Sequence, residues 1–92
     1  MNYDLDYFIN KFEAIPKSDW CIREFNNELD QKCALGHCGT SIEDGITPEA
    51  MALMDLCKVR IDSINDGFPG THKYGYNPKT RVVNYLKELK NV

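Results

Sequence analysis

The sequence predicts a mainly α-helical fold, with a small α+β variant as the alternative. The expected form is a single domain over residues 1–92, of about four helices and at most one short β-hairpin near residues 20–33. Three observations carry that prediction. Apolar residues near both ends recur at three- and four-residue spacings, the period of one helical face. Two sites, Thr47-Pro48 and Asn77-Pro78, pair a capping side chain with a proline at the first helical position. One stretch, residues 20–33, lacks helical character.

The first element follows from Leu5, Phe8, Ile9, Phe12 and Ile15, which line one face, while Asp4, Asp6, Asn10, Lys11 and Glu13 take the other. Acids at its start suit the positive end of the helix dipole. Pro16 ends it, because the residue before proline is pushed out of helical geometry. Trp20-Cys21-Ile22-Arg23-Glu24-Phe25 is aromatic and β-branched, and Asn26-Asn27 tolerates a tight turn, so a short hairpin is expected there. Cys33-Ala34-Leu35-Gly36-His37-Cys38-Gly39 reads as a short, closely packed helix. Gly36 would admit another backbone, and Gly39 would supply a left-handed cap.

Thr47-Pro48-Glu49 opens the next helix, whose buried stripe runs through Ala50, Leu53, Met54 and Cys57 towards Ile61. The last begins at Asn77-Pro78 and buries Val82, Tyr85, Leu86 and Leu89, with Lys87 and Lys90 at its negative end. Between them, residues 64–76 hold three glycines, a proline and three aromatics, which predicts a long irregular loop. Loops longer than about 12 residues are usually functional or disordered, and the aromatics argue against disorder.

Composition excludes several classes. The chain is 42% hydrophobic and 27% charged, ordinary values for a globular domain. No run approaches the roughly 18 apolar residues of a membrane span. The start, Met1-Asn2-Tyr3-Asp4, lacks the features of a secretion signal, which places the protein in the cytoplasm. There Cys21, Cys33, Cys38 and Cys57 are expected as free thiols. The net charge of −3 hides an asymmetry. Residues 1–56 carry four Lys or Arg against eleven Asp or Glu, and residues 57–92 carry seven against three. Overall acidity argues against duplex nucleic acid as a partner, while the basic half could attract a small anion or an acidic protein patch.

Four constellations bear on chemistry. Cys33 and His37, four apart, would share a helical face, and Cys21, Cys38 or Cys57 could extend a zinc shell. The Cys-x-x-Cys pairs of structural zinc sites are missing, however. Cys33 with His37 as base and Asp66 as orienter would form a nucleophilic site on paper, but no catalytic motif frames it. A third possibility is an anionic, nucleotide-like ligand. Lys73, Lys79 and Arg81 supply charge at the start of the last helix, and Trp20, Tyr74, Tyr76 or Phe68 could stack on a base. Asn65 and Asp66 could take hydroxyl or amino donors. The same Tyr- and Phe-rich loop also has the composition of a protein-binding hot spot, for another copy of the chain or for a different protein.

In order, Trp20, Cys33-Ala34-Leu35-Gly36-His37-Cys38-Gly39, Thr47-Pro48-Glu49-Ala50, Ile64-Asn65-Asp66-Gly67, Pro78-Lys79 and Arg81-Val82 form a pattern. It resembles that of small phage, prophage and bacterial proteins of unknown function, which share a Trp…Cys-Ala-Leu-Gly…Asn-Asp…Val-x-x-Leu arrangement. The resemblance spans nearly the whole chain. It implies a phage or prophage accessory factor that antagonises host defence in the host cell cytoplasm. The expected function is therefore a non-enzymatic binding protein without cofactor or metal. It would sequester an anionic nucleotide-like ligand through Trp20, Asn65, Asp66, Lys73, Tyr74, Tyr76, Lys79 and Arg81, or block a host protein. The alternative is a Cys/His-dependent enzyme or zinc protein centred on Cys33 and His37.

Overall fold

Short-range signals set where most of the helices begin and end. The computed structural model describes residues 3–91, and among them five α-helices form. In α1 (Leu5–Ala14), the Asp4 side chain accepts the Tyr7 amide, and Ile15 is extended ahead of Pro16. The one-turn α2 (Ala34–His37) follows Cys33. In α3 (Pro48–Leu56) and α5 (Pro78–Lys90), Thr47 and Asn77 cap the third amide onward and proline fills the first turn. Between α3 and α5 lies α4 (Ile61–Asp66), closed by Gly67 in the left-handed conformation at φ 77°. The fold is mainly α, as the apolar periodicity predicts.

Three expectations need correction. The stripe drawn from Ala50 to Ile61 is not one helix. The chain leaves helical geometry at Cys57 and resumes at Ile61, so α3 and α4 are separate. The Tyr85 hydroxyl holds the break by accepting the amides of Lys58 and Val59 at 2.9 and 3.2 Å. Second, Ile64, Asn65 and Asp66 are helical, and the irregular segment starts at Gly67. Third, residues 20–33 form no strand ladder, only isolated bridges of Lys32 with Trp20 and with Asn26. Their turn lies later than Asn26-Asn27. The Asn27 side chain accepts the amides of Leu29 and Gln31, with Asp30 at φ 60°.

One apolar cluster joins all five helices. Phe8, Phe12, Leu53, Val82 and Leu86 have no exposed surface, and each such side chain contributes about 1.5–3 kcal/mol by leaving water. Trp20 sits edge-on to Phe12 at 5.4 Å and tilts against His37 at 4.7 Å. Helix α5 lies antiparallel to α1, its cations along it: Lys90 pairs with Asp6, Lys87 with Glu13 at 3.4 Å, and Lys79 donates to the Glu13 carbonyl at 2.9 Å. A second seam ties α1 to α3, where Tyr7 and Lys11 both donate to Glu49. Burial works to raise the Glu49 carboxyl, but these two hydrogen bonds outweigh it and hold the group below its usual range. No helix among the described residues is long and apolar enough to cross a membrane. The Cα radius of gyration, 12.0 Å, equals the roughly 12 Å expected for a folded chain of this length.

Candidate functional site

The irregular segment 21–33 is pinned at several points. The Asn65 side chain is fully buried, accepts the Ala34 amide at 3.0 Å and donates to the Cys21 carbonyl at 2.9 Å. Asp66 accepts the Arg23 amide at 2.9 Å, which fixes Arg23 at φ 66°. At Gly36 a Cβ would stand 1.9 Å from the Phe25 carbonyl oxygen, so only glycine lets α2 meet this segment. Anchors from α2 and α4 thus hold residues 23–26 as a wall, with Phe25 packed against the core cluster and its neighbours exposed.

Opposite that wall, residues 41–45 close a tight turn, with Ser41 accepting the Gly45 amide on its carbonyl and the Asp44 amide on its hydroxyl. Asp62 and Asp66, one helical turn apart on α4, complete a cleft of about 580 Å³. Its lining carries five carboxylates, Glu24, Glu43, Asp44, Asp62 and Asp66, against the single cation Arg23. Asp62 also pairs with Arg60 at 2.7 Å. Phe25 and the 91% exposed Ile42 give the cleft apolar surface. Among the described residues, no three His, Cys, Asp or Glu side chains converge as a metal site. The negative charge is therefore spread along a groove rather than focused on one ion. A second cleft of about 520 Å³ adjoins it, sharing Phe25 and Asp62.

The residues expected to hold an anionic ligand do not converge on a common cleft. Trp20 is a core residue, and Asn65 is spent on main-chain groups. Arg81 is buried, and its guanidinium donates to the Ile64 and Asn65 carbonyls at 2.9 and 2.7 Å, satisfying the orphan end of α4. Burial lowers the pKa of this guanidinium. Lys73 lies over the Tyr74 ring at 5.1 Å, and that ring packs edge-on against Tyr85. The hydrogen bond to Glu88 pushes the Tyr74 hydroxyl up to about 12. Tyr76 projects into solvent, 88% exposed. Lys79 borders only a 180 Å³ depression with Glu13, Thr80, Val83 and Asn84, smaller than the roughly 300–1,000 Å³ of ligand pockets. Of the eight, Asp66 alone lines the large cleft.

Cys33 and His37 are not drawn into a dyad. The Cys33 thiol caps α2 by accepting the Gly36 amide at 3.5 Å, while His37 packs tilted against Trp20 and bonds to the Asp19 backbone. Burial pushes the Cys33 thiol up and the His37 imidazole down. The thiol thus stays protonated and the ring neutral, the reverse of an activated nucleophile. The sequence reasoning missed Glu24, Glu43, Asp44 and Asp62. The available signal was the acidic excess of residues 1–56, five of whose acids fall in segments 24–30 and 43–44. Comparison with protein-family models, curated proteins and solved structures finds no match to the chain.

Proposed function

We propose that this chain is a non-enzymatic binding module that captures a basic segment of a partner protein in the acid-walled cleft. The observation that carries it is the lining: five carboxylates, one of them paired with Arg60, against the single lining cation Arg23, around half-buried Phe25 and exposed Ile42. Charges fixed on one wall of a concave surface attract and orient an oppositely charged partner and disfavour a like-charged one. A nucleotide is repelled there, and the cations expected to hold one lie apart from it: Arg81 is buried, Lys79 bonds to the Glu13 carbonyl, and Lys73 lies over the Tyr74 ring. The resemblance to phage and prophage proteins supplies the setting, in which the captured segment belongs to a host protein and one copy blocks one target.

The test is an NMR titration of the ¹⁵N-labelled protein with two probes: a pool of short peptides mixing arginine with leucine, and ATP. The peptide pool is expected to shift amides at residues 23–26 and 41–45. Those shifts should shrink as salt is raised and vanish in the Glu43→Lys, Asp44→Lys double variant. Peptides that leave both segments unmoved while ATP shifts residues 71–81 would overturn the proposal and restore the anion-binding expectation.

A further inference from the structure

The acid-walled cleft does not end at Phe25. On the far side of that ring, the second cleft is walled by Leu35, Ile46, Met54, Val59 and Ile61. Ile46, Met54 and Val59 are each about half exposed, so aliphatic surface faces solvent there. Met51, three residues before Met54, extends the same outward face of α3. Contiguous exposed apolar surface rimmed by charge marks an interaction site, and methionine side chains adapt to a partner's shape. The rim charges are sorted by side. Glu24, Glu43 and Asp44 stand with the first cleft beside Arg23, Lys58 stands with the second, and the paired Arg60 and Asp62 lie on the seam between them.

Resting on the capture proposal, we infer that the two clefts together take one amphipathic, asymmetric partner segment. Its aliphatic anchor seats against Phe25, Met54 and Val59, and its basic side chains lie on one flank only, crossing Phe25 into the acidic cleft. Cations on the other flank would meet Lys58, with Arg60 held by Asp62, and find no acid to pair with. The occupant is a different chain with a basic flank: in a second copy the cations clustered on α5 are bonded to α1 or buried, and the exposed Lys17, Lys58 and Lys73 are scattered over separate segments.

Binding of two synthetic peptides, each made in both chain orders, tests the inference. One carries arginines on one side of a leucine pair, and the other has serines in place of the leucines. The leucine peptide is expected to bind at least about tenfold more tightly, the order that burial of one aliphatic side chain gives. The uncharged Met54→Ser, Val59→Ser double variant should erase that advantage and leave the serine peptide's affinity and the far-UV spectrum unchanged. Equal affinity of the two peptides, both lost on Glu43→Lys with Asp44→Lys, would overturn the anchor and leave the capture proposal standing. If that acid reversal changes neither peptide's affinity, capture and anchor both fall. A wild-type dimer in sedimentation that Met54→Ser with Val59→Ser converts to monomer would overturn the inference in favour of a second copy.

Discussion

Replacing Asn65 with alanine should come close to unfolding the protein. The side chain is fully buried, and it alone bridges the Ala34 amide and the Cys21 carbonyl, with its remaining proton given to Asp66. Alanine leaves both main-chain groups without a partner. Each buried unsatisfied group costs about 1–3 kcal/mol, so the loss is about 2–6 kcal/mol. A chain of this length is worth only about 5–14 kcal/mol in total. The melting midpoint should fall by at least about 8 °C, at about 4–8 °C per kcal/mol for a domain of this size. Urea denaturation followed by Trp20 fluorescence measures it, with the midpoint lowered and the slope unchanged. Asn65→Asp keeps the oxygen that takes Ala34 but sets a second oxygen against the Cys21 carbonyl, and should be no better tolerated at neutral pH. Asp66→Ala, which removes an exposed contact to the Arg23 amide and a part-buried one to the Asn65 side chain but leaves both main-chain partners of Asn65 in place, should cost less, about 1–2 kcal/mol. An Asn65→Ala protein within 1 kcal/mol of wild type would refute the bridging role and return Asn65 to the list of ligand contacts.

Three further outcomes follow from the same geometry. Gly36→Ala should destabilise by about 3 kcal/mol or more in urea, because the new methyl group meets the Phe25 carbonyl at 1.9 Å and backbone must move; a small change would mean that residues 23–26 are not held where they stand. Burial holds His37 neutral in the folded state, so below about pH 6.5 the unfolded chain takes up a proton that the folded one refuses. Stability should therefore fall as pH drops through that window, and His37→Phe should flatten that part of the pH–stability curve. Iodoacetamide at neutral pH should alkylate Cys33 more slowly in the folded protein than in urea, since burial raises the thiol; rapid native labelling of Cys33 would revive a thiol-based activity.

The acid-walled cleft gives the charge asymmetry of the sequence a location. Whole-chain charge of −3 would suggest little, because most cations are used internally. Lys11 serves Glu49, Arg60 serves Asp62, and Lys87 and Lys90 serve α1. What remains outward around the cleft is negative. Exposed ion pairs of this kind add little stability, so their consequence is chiefly for the field a partner meets.

The sequence by itself determined the elements whose signals lie within a few residues of one another. Asp4, Thr47 and Asn77 each cap an amide three positions on, Pro16 forces Ile15 out of helical geometry, and Gly39 turns left-handed at φ 90°. Those interactions form in any chain with that local order, so pattern alone finds them. Tertiary structure decided the rest. Nothing between Cys57 and Arg60 breaks a helix locally, yet the hydroxyl of Tyr85, more than twenty residues away, takes the two amides that end it. Lys79 and Arg81 look alike beside a helix start. The packing of α5 on α4 sends Arg81 inward to close the end of a helix and leaves Lys79 at the surface. The cleft belongs to the same class, since Glu24, Asp44 and Asp62 face one groove only after Asn65 and Gly36 have fixed the loop between them. Local order sets dihedral angles, whereas which buried group finds a distant partner depends on how all the elements pack at once.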